Sequence, residues 1–236
     1  MKLLRKIKSG IPNTITSLNL LSGCVASVFA FADEAYFGSL QGYQIAFICI
    51  GLAAIFDFCD GLSARLLHAY SAIGKELDSL SDLVSFGVAP AMLVFNLLEG
   101  HNAGYWSFCA FLLAVFGALR LAKFNIDDRQ TTSFIGLPIP ANAIFWIGIV
   151  AWNHNYFYIG TPAMILLIIA FSWLMVSKLN MFSLKVKTLA FSSNVRRYVL
   201  ILGTISFVAV QGVAGFAWAI IFYILLSATM RRNEQM

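Results

Sequence analysis

The chain has 236 residues, of which 60% are hydrophobic and only 11% are charged, and its mean hydropathy is +0.81. A soluble domain carries about a quarter charged residues, so the composition excludes an ordinary soluble domain and a disordered chain. In so apolar a chain the net charge of +5 does not indicate a nucleic-acid partner, because basic residues of membrane proteins set topology and face anionic headgroups.

Apolar runs along the chain predict an all-α integral membrane fold with about eight transmembrane helices, because about 20 apolar residues cross a bilayer. The runs lie near residues 13–32, 42–67, 72–98, 103–124, 136–152, 157–177, 198–211 and 214–230. Residues 1–10 are basic and are expected to form a short amphipathic segment on the membrane surface. No repeat or long linker is visible, so we expect a single membrane-embedded domain over residues 1–236.

The positions of the basic residues predict the topology. All sixteen Lys and Arg residues fall at the two ends of the chain, or within or beside every second gap between the runs. By the positive-inside rule, that side and both termini are cytoplasmic, in a multi-pass protein of the cell membrane. The longest gap, residues 178–197, is expected to be a cytoplasmic amphipathic loop of undetermined role.

Four aspartates lie at the cytoplasmic ends of the second and third runs, although an aspartate at the centre of a span costs about 2.5–3.5 kcal/mol. Asp57 and Asp60 are spaced i, i+3, and Asp78 and Asp82 are spaced i, i+4, so each pair shares one helix face. The short connection around residues 68–72 predicts an antiparallel helix hairpin. That hairpin can bring all four carboxylates together.

Four carboxylates at close quarters need a counter-charge, which a divalent metal ion commonly supplies. Oxygen-only ligands favour Mg²⁺, Mn²⁺ or Ca²⁺ over zinc. Such ions bridge phosphate oxygens, so a metal cluster at headgroup depth suits a phosphate-bearing substrate. The alternative interpretation is that the aspartates are helix caps and partners of the basic residues.

Small residues accompany the aspartates. Gly61 follows Asp60 directly, and Gly74 lies one helical turn before Asp78. Glycine costs about 1 kcal/mol against alanine in a helix interior, so these positions favour close approach of a ligand or helix to the backbone. With Ala64 they predict a smooth groove for a flat base, beside which Arg65 is a partner for phosphate.

Together these residues form the pattern Asp57-x-x-Asp60-Gly61-x-x-Ala64-Arg65, eight residues, then Gly74-x-x-x-Asp78-x-x-x-Asp82. The pattern resembles the signature of the CDP-alcohol phosphotransferase family at all eight fixed positions. The resemblance implies transfer of a phosphatidyl group from a CDP-linked lipid to an alcohol, with release of CMP. It further implies metal ligands, with two Mg²⁺ or Mn²⁺ ions expected (or Ca²⁺ in a crystal), at Asp57, Asp60, Asp78 and Asp82. It also implies that Asp82 deprotonates the alcohol and that the CDP site is lined by Gly61, Ala64, Arg65 and Gly74.

Four further stretches resemble the phosphatidylserine synthase branch of that family, namely residues 11–23, 85–90, 117–125 and 134–142. This resemblance implies CDP-diacylglycerol as donor, L-serine as acceptor and a homodimer. Arg120 is then expected to hold the serine carboxylate bidentately, with Lys123 and Asn125 beside it. Asn13 and Thr16 are expected to reach the nucleotide, or else to cap the first helix.

Several alternatives remain open from the sequence. Arg120 and Lys123 also suit anchoring of the fourth span to lipid phosphates. Glycerol 3-phosphate or an inositol phosphate is an alternative acceptor. An archaeal-type ether lipid is an alternative donor. A more remote alternative is a divalent-cation transporter, whose carboxylates are expected near the bilayer midplane and in two repeated halves.

Overall fold

A computed structural model describes residues 2–126, 134–182 and 191–229 and is mostly helical. The α-helices are α1 (Lys2–Phe31), α2 (Gly42–Leu66), α3 (Ala72–Asp82), α4 (Ala89–Gly100), α5 (Leu112–Ile126), α6 (Ile139–Asn155), α7 (Thr161–Val176), α8 (Phe191–Gln211) and α9 (Gly215–Ala228). A π-helical segment, Leu83–Val88, joins α3 to α4, and 3₁₀ turns cover Gly104–Phe111 and Gly212–Ala214. Two short antiparallel pairs join β1 (Tyr36–Phe37) to β2 (Leu40–Gln41) and β3 (Phe134–Ile135) to β4 (Asn180–Met181).

Five helical segments of the described chain are long and apolar enough to cross a membrane. They are Gly10–Phe31, Gly42–Leu66, Ala72–Gly100, Gly104–Ile126 and Asn194–Ala228. A shorter apolar helix, Thr161–Val176, follows the fourth of them in the chain. The all-α membrane fold is therefore confirmed, whereas the count of eight spans stays a prediction.

Two expected boundaries differ from the structure. The N-terminal surface segment is not separate, because α1 runs without interruption from Lys2 to Phe31 with Pro12 inside it. The Thr16 hydroxyl donates to the Pro12 carbonyl oxygen at 3.0 Å, a back-bond of the kind that often accompanies a bend in a helix. The loop expected over residues 178–197 is also shorter than predicted, since α8 already begins at Phe191.

The chain divides into two compact units, Met1–Ala118 and Leu119–Met236. In the first unit α1 packs along α2 and along the segment formed by α3, the π-helix and α4. The buried positions of α1 recur every three or four residues and define one packing face, made of Pro12, Thr16, Asn19, Gly23, Ala26 and Ala30. Small residues on such a face let helices approach closely.

The second unit is organised around α9, which packs against α6 and α8. Phe145 of α6 and Phe171 of α7 stack with their ring centroids 3.6 Å apart. The buried Tyr223 hydroxyl of α9 donates to the Phe182 carbonyl oxygen at 2.8 Å, which ties the chain after β4 to that helix. The expectation of one domain over the whole chain stays a prediction.

Candidate metal centre and anion pocket

Three aspartates form a compact carboxylate cluster in the first unit. Asp57 and Asp60 lie in the C-terminal half of α2, and Asp78 lies in α3. One carboxylate oxygen from each residue lies within 4.8 Å of the others. The connection between the helices is short and ends at Ser71, which caps α3: its hydroxyl accepts a hydrogen bond from the Gly74 amide at 3.0 Å.

The cluster fits a divalent cation. Within the described residues, the buried oxygens Asp60 Oδ2 and Asp78 Oδ1 have no hydrogen-bond partner. The carboxyl groups of Asp57 and Asp78 also lie within hydrogen-bonding reach of each other. Buried, unpaired carboxylate oxygens are costly unless a cation or donor compensates them. An oxygen-only donor set of this kind is one that Mg²⁺, Mn²⁺ and Ca²⁺ accept.

Asp82 is held next to this cluster but is not one of its three members. It is the last residue of α3, and its Oδ1 accepts a hydrogen bond from Asn19 Nδ2 of α1 at 3.3 Å. The carboxylate is nevertheless close enough to Asp57 and Asp78 to interact with them electrostatically. Three carboxylates therefore form the cluster, and the fourth, that of Asp82, lies beside it and is oriented by a residue of α1.

The two α1 residues expected at the nucleotide adjoin the motif residues. Thr16 is buried, and its side chain lies within hydrogen-bonding reach of the Asp60 carboxylate. The Asn13 amide oxygen lies beside Gly74, where an added Cβ would be only 3.0 Å from it. A side chain at position 74 would therefore require the Ser71 and Asn13 side chains to shift, and glycine leaves both in place.

Gly61 has the opposite environment. A Cβ added there would have no atom within 4 Å, so the space over this turn of α2 is open. The exposed Arg65 donates from Nε to the Gly61 carbonyl oxygen at 2.9 Å, so its side chain folds back along the helix. Ala64 is half-buried on the same stretch of helix. The expected roles of these three residues in binding CDP stay predictions.

The sequence-based prediction of the site missed the contacts between α1 and the third apolar segment. Ser81 Oγ donates to the Thr16 carbonyl oxygen at 3.2 Å, and Ser85 Oγ donates to the Asn19 carbonyl oxygen at 2.9 Å. Ser85 belongs to the π-helical segment, a distortion that often marks functional sites. The sequence feature that indicates such contacts is the helical spacing of polar residues in α1. Nothing in the sequence shows which helix packs against those residues.

The second unit contains a pocket of about 670 Å³ with a cationic and partly apolar wall. Its described lining residues include no aspartate or glutamate and are Arg120, Lys123, Phe124, Ile126, Ile135, Met175, Val176, Ser177, Lys178 and Asn180. Arg120 is only 7% exposed, and its guanidinium carbon lies 5.4 Å from the centroid of the Phe124 ring. The pocket therefore suits an organic anion. Asn125, expected beside Arg120, is half-buried and is not among these lining residues.

Comparison with known proteins agrees with the motif. Residues 9–225 match the family described as CDP-alcohol phosphatidyltransferase. The chain is similar to the CDP-diacylglycerol–serine O-phosphatidyltransferase of Bacillus subtilis (strain 168), with 40% identity over 171 residues, 72% of this chain and 88% of that protein. It is also similar to the proteins of the same name from Methanocaldococcus jannaschii and Helicobacter pylori (strain J99), at 38% and 34% identity. Those alignments cover 65% and 63% of this chain, and 66% and 60% of the two proteins.

Proposed function

Because this chain belongs to the CDP-alcohol phosphatidyltransferase family, we propose that it transfers the phosphatidyl group of CDP-diacylglycerol to the hydroxyl of L-serine, giving phosphatidylserine and CMP. The observation that carries this proposal is the compact carboxylate cluster of Asp57, Asp60 and Asp78. These residues occupy the positions that the family motif assigns to metal ligands. The choice of serine rests on the relatives, which are named for that acceptor.

In this proposal Asp57, Asp60 and Asp78 would hold two divalent ions, Mg²⁺ or Mn²⁺, with Asp82 as a further ligand. When bound, these ions neutralise charge on the pyrophosphate oxygens and on the departing phosphate. The unpartnered oxygens of Asp60 and Asp78 support this assignment, because a cation would satisfy both. The protein contributes by fixing the carboxylates on two rigid helices, so that little reorganisation is needed when substrate binds.

Asp82 is the proposed general base. Its carboxylate accepts the proton of the serine hydroxyl, and the serine oxygen forms a bond to the phosphorus next to diacylglycerol. The bond from that phosphorus to the bridging pyrophosphate oxygen breaks, and its electron pair leaves with CMP. The proton on Asp82 then passes to solvent, which returns the carboxylate to its starting state. The interaction of Asp82 with Asp57 and Asp78 supports a position beside the reacting phosphate.

The donor nucleotide is proposed to lie over the open turn of α2. Gly61 leaves room for the cytosine ring. The small side chain of Ala64, in the next turn of the helix, does not obstruct that space. Arg65 uses Nε within its own helix, which leaves its terminal amino groups for the pyrophosphate. Asn13 and Thr16 complete this site from α1, and Gly74 lets α1 approach.

For the acceptor, we propose that Arg120 holds the serine carboxylate, with Lys123 and Asn125 in supporting roles. Arg120 is buried and lines this pocket together with Lys123 and Lys178, and several cations at one pocket favour a carboxylate or phosphate ligand. Replacing Arg120 by Lys keeps the charge but loses the bidentate geometry. We expect Arg120→Lys to raise the KM for serine at least tenfold and the KM for CDP-diacylglycerol less than twofold. Equal changes in both constants would refute a specific role in serine binding.

The decisive experiment is an acceptor panel with the purified protein, CDP-diacylglycerol and Mn²⁺ or Mg²⁺, in which CMP release is measured. Release with serine alone, lost in Asp82→Asn, supports both the acceptor and the base. Release with glycerol 3-phosphate or an inositol phosphate would preserve the reaction class and refute serine. No metal-dependent release with any alcohol would refute the proposed reaction and favour ion transport.

We also propose eight spans with both termini and the metal centre on the cytoplasmic side, in a homodimer. Each predicted apolar run overlaps a described helix, and the basic residues alternate as the positive-inside rule requires. Cysteine-accessibility labelling at Glu34 and Lys75 tests the topology, because the two positions are expected on opposite sides. Labelling of both from the same side would refute it.

A further inference from the structure

We propose that Asn19 is a positioning residue that fixes the Asp82 carboxylate in its reactive orientation. This inference rests on the proposed function, in which Asp82 is the general base. Asn19 lies in α1, 63 positions away from Asp82 in the chain, and is completely buried. The family motif described above contains Asp82 but not Asn19.

The chemistry of the contact determines how the Asn19 amide points. A carboxylate only accepts hydrogen bonds, so the amide must present its Nδ2 donor to Asp82 Oδ1, at 3.3 Å. This distance is at the long end of the hydrogen-bond range, as is common for catalytic groups before substrate binds. The contact engages one carboxylate oxygen and so sets the direction in which the other oxygen faces.

The backbone around this contact is held on both sides. Ser81 donates to the Thr16 carbonyl oxygen at 3.2 Å, and Ser85 donates to the carbonyl oxygen of Asn19 itself at 2.9 Å. Both serines are completely buried. Gly23 lets the two backbones touch, since a Cβ there would lie 2.7 Å from the Ser85 Cα. The crossing therefore places Asn19 rigidly against the end of α3.

A purely structural role does not account for an amide at this position. Asn19 Oδ1 is buried and has no hydrogen-bond partner among the described residues. A buried, half-satisfied amide between membrane helices destabilises the fold relative to an apolar residue of similar size. The retained polar group is explained if its N–H is required by Asp82. The π-helical segment that starts directly after Asp82 also indicates a local geometry maintained for function.

The test compares Asn19→Leu with Ser85→Ala in the full-length protein, with CMP release measured against the concentration of each substrate. Leucine has the same number of side-chain heavy atoms and the same branching as asparagine and suits an apolar helix crossing, so the variant is expected to fold. We expect Asn19→Leu to lower kcat at least tenfold, with both KM values and Mn²⁺ binding changed less than twofold. Ser85→Ala removes one of the two serine hydrogen bonds at this crossing and leaves the side-chain amide of Asn19 unchanged. The Ser81 hydrogen bond and the backbone contact at Gly23 remain, so its kcat is expected to stay within twofold.

A conservative variant separates positioning from packing. Asn19→Gln keeps an amide donor, and we expect its kcat to exceed that of Asn19→Leu severalfold. If Asn19→Leu fails to fold, Asn19→Ala is measured against Ser85→Ala by the same criteria. Unchanged kcat in Asn19→Leu, or equal losses in Asn19→Leu and Ser85→Ala, would overturn the proposal. Failure of the wild-type protein to release CMP would instead refute the proposed function, and a fully active Asp82→Asn would refute the base on which the inference rests.

Discussion

Gly23 is the position at which a single added methyl group should separate α1 from the third apolar segment. A Cβ at this position would lie 2.7 Å from the Ser85 Cα and 2.9 Å from the Ser85 nitrogen. These are backbone atoms, so they do not move aside as the end of a flexible side chain would. Ordinary van der Waals contact begins at 3.4 Å, which requires the helices to part by about 0.7 Å.

Two consequences follow from this displacement. Overpacking of a tight contact costs about 1–3 kcal/mol of folding free energy. The hydrogen bond from Asn19 to Asp82, now 3.3 Å, would lengthen to about 4 Å and be lost. Gly23→Ala is therefore expected to lower both thermal stability and kcat, the latter at least tenfold, because one methyl group disturbs packing and the proposed base together.

The assay measures the Tm in detergent and the kcat of CMP release, with Gly51→Ala as the matched control. Gly51 lies in α2, and a Cβ added there meets no atom within 4 Å. Alanine stabilises a helix interior by up to about 1 kcal/mol relative to glycine, so the control should be at least as stable as wild type. Wild-type Tm and kcat in Gly23→Ala would show that the close helix contact does not govern the site.

Three further results are expected. Asp78→Asn removes one of three clustered carboxylates and should lower metal-dependent CMP release at least a hundredfold, with a weaker response in a Mn²⁺ titration; unchanged metal dependence would contradict the assigned site. Gly61→Val should raise the KM for CDP-diacylglycerol at least tenfold while leaving the Tm unchanged, because the added Cβ meets no neighbour but enters the proposed nucleotide groove. Tyr223→Phe should lower stability by about 1 kcal/mol, measured as a lower Tm, since the Phe182 carbonyl oxygen loses its buried donor; an equal or higher Tm would argue against that contact.

Local spacing was sufficient to predict the carboxylate cluster. Asp57 and Asp60 share a helix face whatever the helix packs against, and a short connection must return α3 antiparallel to α2. The three clustered aspartates therefore followed from helix geometry and loop length. The helices themselves followed from apolar runs long enough to span a bilayer, although the continuous course of α1 through Pro12 and the early start of α8 did not.

The different surroundings of Gly61 and Gly74 could not be predicted in the same way. Both residues belong to the same motif, and both were expected to provide close approach. In the structure Gly74 faces Asn13 and Ser71, whereas Gly61 faces open space. The distinction depends on where α1 lies, which spacing within α2 and α3 does not encode.

The sequence by itself determined a helical membrane chain, the class of its motif and the residues able to hold a metal, because those properties arise within one helix or one hairpin. The tertiary structure decided that Asp82 lies beside the cluster of the other three aspartates and is paired with Asn19. It also decided that Gly23 lies against Ser85. These contacts join positions more than sixty residues apart and depend on which helix faces meet, and many pairings of apolar faces satisfy the same hydrophobic pattern.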